Sequence, residues 1–170
     1  FNDNNIVIYP QDTEALRAIL AQREDPYVVS TAASFILLID GDKANDSLDL
    51  HAFGVKRHNS QASLAEFRRR IDGALASDRQ VLYIPIWHEL DDASEGLENS
   101  FKMYYDFVMS RYRVELLYQG VNVVRNKAAR LDGVPTILVF SIEEPLNTAG
   151  QEVIPVDIAE QLRELAPRAP

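Results

Sequence analysis

The densest group of side chains that could do chemistry lies in the sequence HELDDASE, residues 88–95. It holds five titratable side chains: His88, Glu89, Asp91, Asp92 and Glu95. Such a group could bind a hard cation or a basic partner. The spacing does not match an EF-hand loop, and Asp91, Asp92 or Ser94 can instead cap the helix that follows. We interpret the segment as a solvated loop with a helix cap.

A second acidic segment, DGDKANDSLD at residues 40–49, has some features of a cation-binding loop. Ala44 stands where an oxygen ligand is required, and Asp and Gly are typical of hairpin turns. The two segments together leave open an alternative function. In that alternative, four carboxylates bind two metal ions in a hydrolase or nuclease: Asp40, Asp42, Glu89 and Asp91.

Composition excludes several classes of function. The chain has no cysteine, which rules out thiolate catalysis, disulfides and Cys-ligated zinc. The net charge of −9 argues against nucleic acid as a partner, because binding to a phosphate backbone depends on clustered Lys and Arg. The one basic cluster, residues 68–70, lies in a helical pattern and is predicted to be a solvated face. We predict no cofactor and no resident metal.

The apolar segments are too short to cross a bilayer. The longest runs, residues 35–39 and 134–140, fall well below the length that a membrane helix needs. We therefore predict a soluble protein without a transmembrane segment. The composition suits a cytoplasmic or an extracytoplasmic location equally.

Hydrophobic periodicity predicts alternating helices and strands. Asp12 can cap a helix with Leu16, Ile19 and Leu20 on one face, and residues 34–57 predict two strands around a polar turn. From residue 63 onward the order is helix, strand, helix, strand, helix, strand, strand, helix. The helix near residue 63 carries four apolar residues at helical spacing: Leu64, Phe67, Ile71 and Leu75. Strands that alternate with helices should be parallel, and the closing pair, 135–140 and 152–156, should form an antiparallel hairpin.

Two motifs give this order a resemblance to a known family. In NKAARLDGVPTILVF, residues 126–140, a short helix leads through Gly-Val-Pro-Thr into an apolar strand. In VLYIPIW, residues 81–87, an apolar strand ends in tryptophan. Residues 63–166 thus resemble a thioredoxin-like domain. The resemblance implies that Pro135 follows a cis bond beside the site, and that Trp87 matches the tryptophan upstream of the redox motif.

This chain departs from the family at the redox positions. The Cys-x-x-Cys motif of the family falls on Asp91, Asp92, Ala93 and Ser94, and Pro85 replaces the buried acid. Disulfide exchange requires thiols, so redox activity is excluded. The resemblance implies a redox-inactive α/β protein: a thioredoxin-like three-layer α/β/α domain with a mixed central sheet over residues 61–168. Residues 1–60 form an N-terminal α/β extension.

The remaining function implied by the resemblance is protein binding, as an assembly factor, chaperone-like adaptor or structural module. In this fold a groove between the 88–95 loop and the Val134–Pro135 turn holds extended polypeptide. The expected binding residues are Trp87, His88, Asp91, Asp92, Ser94, Val134, Pro135 and Thr136. The extension could add strands to the sheet or form a small subdomain, and the hairpin at 35–56 could pair with its copy in a homodimer.

Overall fold

The helices and strands follow from local sequence patterns. The computed structural model describes residues 10–30, 48–50, 61–85, 97–120, 122–123, 134–135, 137–157, 160–161 and 164. Its helices are α1 (Pro10–Ala21), α2 (Gln61–Ala76) and α3 (Leu97–Arg111). Its strands are β1 (Tyr27–Ser30), β2 (Leu48–Asp49), β3 (Val81–Ile84), β4 (Tyr112–Gln119), β5 (Asn122–Val123), β6 (Val134–Pro135) and β7 (Leu138–Pro145). None of the described helices combines the length and apolar character that a membrane span requires.

Helical spacing correctly predicts the buried faces of α1 and α2. Leu16 and Leu20, four residues apart, are fully buried on one side of α1. Phe67 and Ile71 do the same on α2, with Leu64 and Leu75 packed against the core beside them. The first helix begins at Pro10, whose fixed φ suits a first helical position. Asp12 therefore lies within the first turn and not at the cap.

The five-stranded sheet is mixed and open. Its order is β2-β1-β3-β7-β4, with β1 parallel to β2 and β3, and β7 antiparallel to β3 and β4. The mixed α/β class predicted from the sequence is confirmed. The first strand, Tyr27–Ser30, was not predicted, because a four-residue apolar run is too short to show a period. Since β1 and β2 pair within this sheet, the N-terminal part of the chain adds strands to it.

Helices cover both faces of the sheet. Strand residues alternate between the two faces, so Val29 and Tyr83 face α2 and α3, whereas Val28 and Leu82 face α1. The larger core, on the α2 and α3 side, is rich in aromatic rings. Its centre is formed by Phe67, Tyr83, Tyr104, Tyr105 and Phe140, with ring centroids 4.8 to 6.2 Å apart.

The predicted closing hairpin is wrong. Residues 151–157 form no strand, and β7 pairs with β3 and β4 instead. Residues 146–157, which we call the strap, lie along α3 because side chains of that helix bind their backbone. Ser110 Oγ accepts from Ile154 N at 3.3 Å, and Asp106 Oδ1 accepts from Val156 N at 3.0 Å. These contacts replace the ladder that a hairpin would have supplied.

The predicted direction of the strands that alternate with helices is right for β3 and β4 and wrong for β7, which runs antiparallel to both. β3 and β4 run the same way, and β7 lies between them. Five predicted elements fall mainly or wholly outside the described residues: a strand at 6–10, the two hairpin strands within 34–57, the helix at 123–133 and the last helix, which follows Asp157. The residue Pro10, which the first of these included, begins α1 instead.

Candidate functional site

The carboxyl ends of β1 and β3 meet at one edge of the sheet, beside the start of β7. We call this the carboxyl edge, and its described members are Ser30, Pro85, Gly120 and Ile137. All four are buried. Ser30 Oγ donates to the Ile84 carbonyl at 3.2 Å, and Gly120 N donates to the Ile137 carbonyl at 2.8 Å. Ligands of open α/β sheets commonly bind outside such carboxyl ends, which makes this edge the candidate site.

Most of the predicted binding residues lie outside the described residues. These are Trp87, His88, Asp91, Asp92, Ser94 and Thr136. Val134 and Pro135 form β6, which pairs antiparallel with β5. The chain positions that flank the predicted groove meet at the carboxyl edge, because Leu138 N donates to the Pro85 carbonyl at 3.4 Å. Pro85 precedes Trp87 by two residues, and Leu138 follows Pro135 by three.

The predicted cis bond at Pro135 is wrong. The described residues include Val134 and Pro135 and contain no cis peptide bond. Both residues pair with β5, Val134 opposite Val123 and Pro135 opposite Asn122. An extended strand accommodates the trans bond, which is the favoured isomer before proline. The sequence Gly-Val-Pro-Thr thus did not determine whether the peptide bond before Pro135 is cis or trans.

The carboxylates of the alternative metal site are not among the described residues. Asp40, Asp42, Glu89 and Asp91 all belong to the undescribed segments. In the described part of the chain, no three His, Cys, Asp or Glu side chains come together where they could hold a metal ion.

A buried aspartate and a tyrosine join α1 to the carboxyl edge. Tyr118 Oη donates to Asp12 Oδ1 at 2.5 Å, and Asp12 is only 1% exposed. The first turn of α1 therefore lies against the end of β4. Sequence analysis missed this pair, because the two residues are 106 positions apart and carry no local signal.

The environment of Tyr118 keeps its hydroxyl protonated. Burial raises the pKa of Tyr118, and the adjacent Asp12 carboxylate raises it further by accepting the hydroxyl proton. The tyrosine thus serves as a permanent donor to the buried carboxylate at ordinary pH.

We expect Tyr118→Phe to lower the free energy of unfolding by about 1–2 kcal/mol, since hydrogen bonds to charged groups contribute on that scale. Urea denaturation would measure the change. Tyr112→Phe is the matched control, because Tyr112 donates at 2.7 Å to Asp72, whose side chain is 38% exposed and can be solvated. Equal losses in the two variants would show that the buried pair has no special role.

The predicted solvated basic face on α2 is confirmed. Arg68 and Arg69 are 50% and 70% exposed, and Glu66 accepts hydrogen bonds from Arg69 and Arg70. These bonds lower the pKa of Glu66 to about 2. The basic side chains are therefore paired with acids of their own helix.

Comparison with known proteins finds no relative. No family model, no curated protein and no solved structure matches this chain significantly. The fold and the edge chemistry must therefore be argued from the chain itself.

Proposed function

We propose that the protein is a binding module that holds an extended segment of another polypeptide at the carboxyl edge, without catalytic turnover. The observation that carries the proposal is the hydrogen bond from Leu138 N to the Pro85 carbonyl. It joins the residue that precedes 86–96 to the strand that follows 134–136, and these are the two segments predicted to form the groove. We propose that the ligand contacts both segments.

The described chemistry of the carboxyl edge suits backbone recognition. Its side chains are apolar or neutral, and the Ser30 hydroxyl is already bound to the Ile84 carbonyl. Extended peptides are held largely through main-chain hydrogen bonds, with pockets for alternate side chains. Trp87 and the acidic residues of 88–95 would supply the aromatic anchor and the charge preference. The absence of cysteine leaves disulfide exchange out of the reaction chemistry.

A thioredoxin-like domain over residues 61–168 is the finer form of this proposal. The antiparallel pairing of β3 with β7 supports it. The described helices of that span, α2 and α3, both pack on one face of the sheet, and the helix on the other face, α1, precedes the span. The trans bond before Pro135 and the missing closing hairpin count against it. The binding proposal rests on the carboxyl edge and does not require that family.

Site-specific photocross-linking tests the proposal. A photoreactive amino acid at position 87 should capture another polypeptide, whereas the same group at Gln80 should not. Gln80 is exposed and immediately precedes β3, so it lies at the opposite end of this strand from the carboxyl edge. Mapping the cross-link would give the captured segment for affinity measurements.

With that segment, Trp87→Ala should weaken binding by at least about tenfold, because aromatic anchors dominate interface energies. Arg69→Ala, an exposed position on α2, should leave the affinity unchanged and serves as the control. Equal cross-linking from 80 and 87, or an unchanged affinity of Trp87→Ala, would contradict the proposal.

A rise in the unfolding temperature on addition of Mg²⁺ or Mn²⁺, abolished by Asp40→Asn or Asp91→Asn, would favour the alternative metal-dependent hydrolase instead.

A further inference from the structure

The strand β4 is the outermost strand on one side of the sheet that the described residues form. It is eight residues long and pairs with β7 on one side, and no described strand pairs with its other side. Most of its side chains are half-buried, while Arg113 and Glu115 are exposed. A long unpaired edge is a template for pairing with a strand of another chain. The opposite edge of the sheet, β2, has only two residues.

The geometry of β4 identifies which backbone groups face outward. The Arg111 carbonyl accepts from Leu146 N at 2.8 Å, so it points toward the chain that continues from β7. In a strand, the N–H and C=O groups of one residue point to the same side, and those of the next residue point to the other side. The N–H and C=O groups of Tyr112, Val114 and Leu116 therefore point away from β7. Within the described residues no strand pairs with β4 on this side.

The first five residues of β4 form a regular stretch. The pairing with β7 shifts register twice. At the first shift the unpaired residue is Glu143 of β7, and at the second it is Leu117 of β4. Residues 112–116 therefore run without a bulge of their own, as strand pairing requires.

We propose that β4 is a dimerisation site at which a second copy of this chain pairs antiparallel, with the two-fold axis at Val114. In this register Val114 faces the partner's Val114 through outward backbone groups, and all of residues 112–116 are used. Arg113, which also pairs with Glu144 of β7 at 2.9 Å within one chain, lies opposite the partner's Glu115. Glu115 lies opposite the partner's Arg113. Residues opposite each other at a non-hydrogen-bonded position come closest, so these opposite charges attract.

The apolar surface near β4 is consistent with a second copy of the chain as the partner. Among the described residues the exposed large hydrophobic side chains are Leu146 and Ile154, at 40% and 71% exposure. Both lie on the strap and are bonded to the last turn of α3, which leads directly into β4. A two-fold axis perpendicular to the sheet places the strap of both copies on the same side of the joined sheet. The dimer would then carry the exposed apolar side chains of both copies on one face.

Charge reversal tests this register. Sedimentation of the wild-type chain over a concentration series should show a reversible dimer. Glu115→Arg should weaken the dimer by about tenfold or more, because it places like charges opposite each other at two positions. Arg113→Glu should do the same, and because it also removes the ion pair with Glu144, circular dichroism should first show that the variant stays folded. The double variant Arg113→Glu with Glu115→Arg restores both attractive pairs and should recover the dimer.

Val114→Pro provides an independent test. It removes an outward N–H group and no bond to β7, so the variant should stay folded by circular dichroism and become monomeric. Arg69→Ala on α2 should remain dimeric. The proposal is overturned if the wild-type chain is monomeric at all concentrations, or if the dimer persists in Glu115→Arg and Val114→Pro. Capture of an unlike strand by a monomeric wild type would also overturn it. Because the measurement is self-association, its outcome is separate from cross-linking at position 87.

Discussion

Above about pH 10, the free energy of unfolding should fall by about 3 kcal/mol for each further pH unit, from two tyrosines alone. Burial raises the pKa of Tyr105, and the nearby Asp106 charge raises it further. Burial also raises the pKa of Tyr112, which in addition donates to Asp72. Both are almost fully buried within the aromatic core.

The sign of the effect follows from proton binding. In the unfolded chain these tyrosines ionise near pH 10, whereas the folded chain keeps their protons to higher pH. The unfolded state therefore binds fewer protons above pH 10, and stability falls as pH rises. Below that pH both states are protonated and the contribution is constant. Half-buried Tyr118, whose pKa is also raised, would add a smaller part.

Urea denaturation at a series of pH values, together with tyrosinate absorbance, measures this dependence. Tyr105→Phe should remove one of the protons that are released on unfolding above pH 10. The fall in the free energy of unfolding should then be smaller by about 1.4 kcal/mol per pH unit. Ionisation of most tyrosines before any loss of near-ultraviolet circular dichroism would contradict the assignment, since it would place their hydroxyls in contact with solvent.

Gly120→Ala should destabilise the protein by about 2–3 kcal/mol, the cost of overpacking a close contact. A Cβ atom at this position would lie 2.8 Å from Ile137 Cγ2 and 2.9 Å from the Ile137 carbonyl oxygen. It would also lie 3.1 Å from Asp12 Oδ1. Because the backbone carbonyl accepts the hydrogen bond of Gly120 N, it cannot move away without breaking that bond.

Gly73→Ala is the matched control for this substitution. Gly73 lies inside α2, and a Cβ atom there would meet nothing within 4 Å. Alanine should stabilise the protein by about 0.5–1 kcal/mol, because glycine loses more backbone freedom in a helix. Chemical denaturation of both variants should thus give changes of opposite sign. A neutral effect of Gly120→Ala would mean that β4 and β7 separate readily at the carboxyl edge.

The two proposals use different parts of the same sheet. The carboxyl edge would bind a segment of another polypeptide, and the β4 edge would bind a second copy of the chain. The Asp12–Tyr118 bond lies between them, because it ties α1 to the end of β4. Variants of that bond can therefore be used to ask whether dimerisation and peptide binding influence each other.

The sequence by itself determined the local elements and the excluded chemistry. Apolar residues at helical spacing placed the buried faces of α1 and α2, and a continuous apolar run placed β3, because these patterns depend on neighbours within a few positions. The absence of cysteine excluded redox chemistry without any knowledge of the fold. The predicted residues of the groove stay a prediction, since most of them belong to segments outside the described residues.

Only the tertiary structure decided which distant segments meet. It placed β7 between β3 and β4, turned the expected hairpin strand into the strap, and brought Asp12 to Tyr118 across 106 positions. The choice between a hairpin and a strap depends on whether β4 or residues 151–157 supply the better partner for β7. That competition is settled by burial of the aromatic core and by hydrogen bonds from α3, which no local pattern encodes.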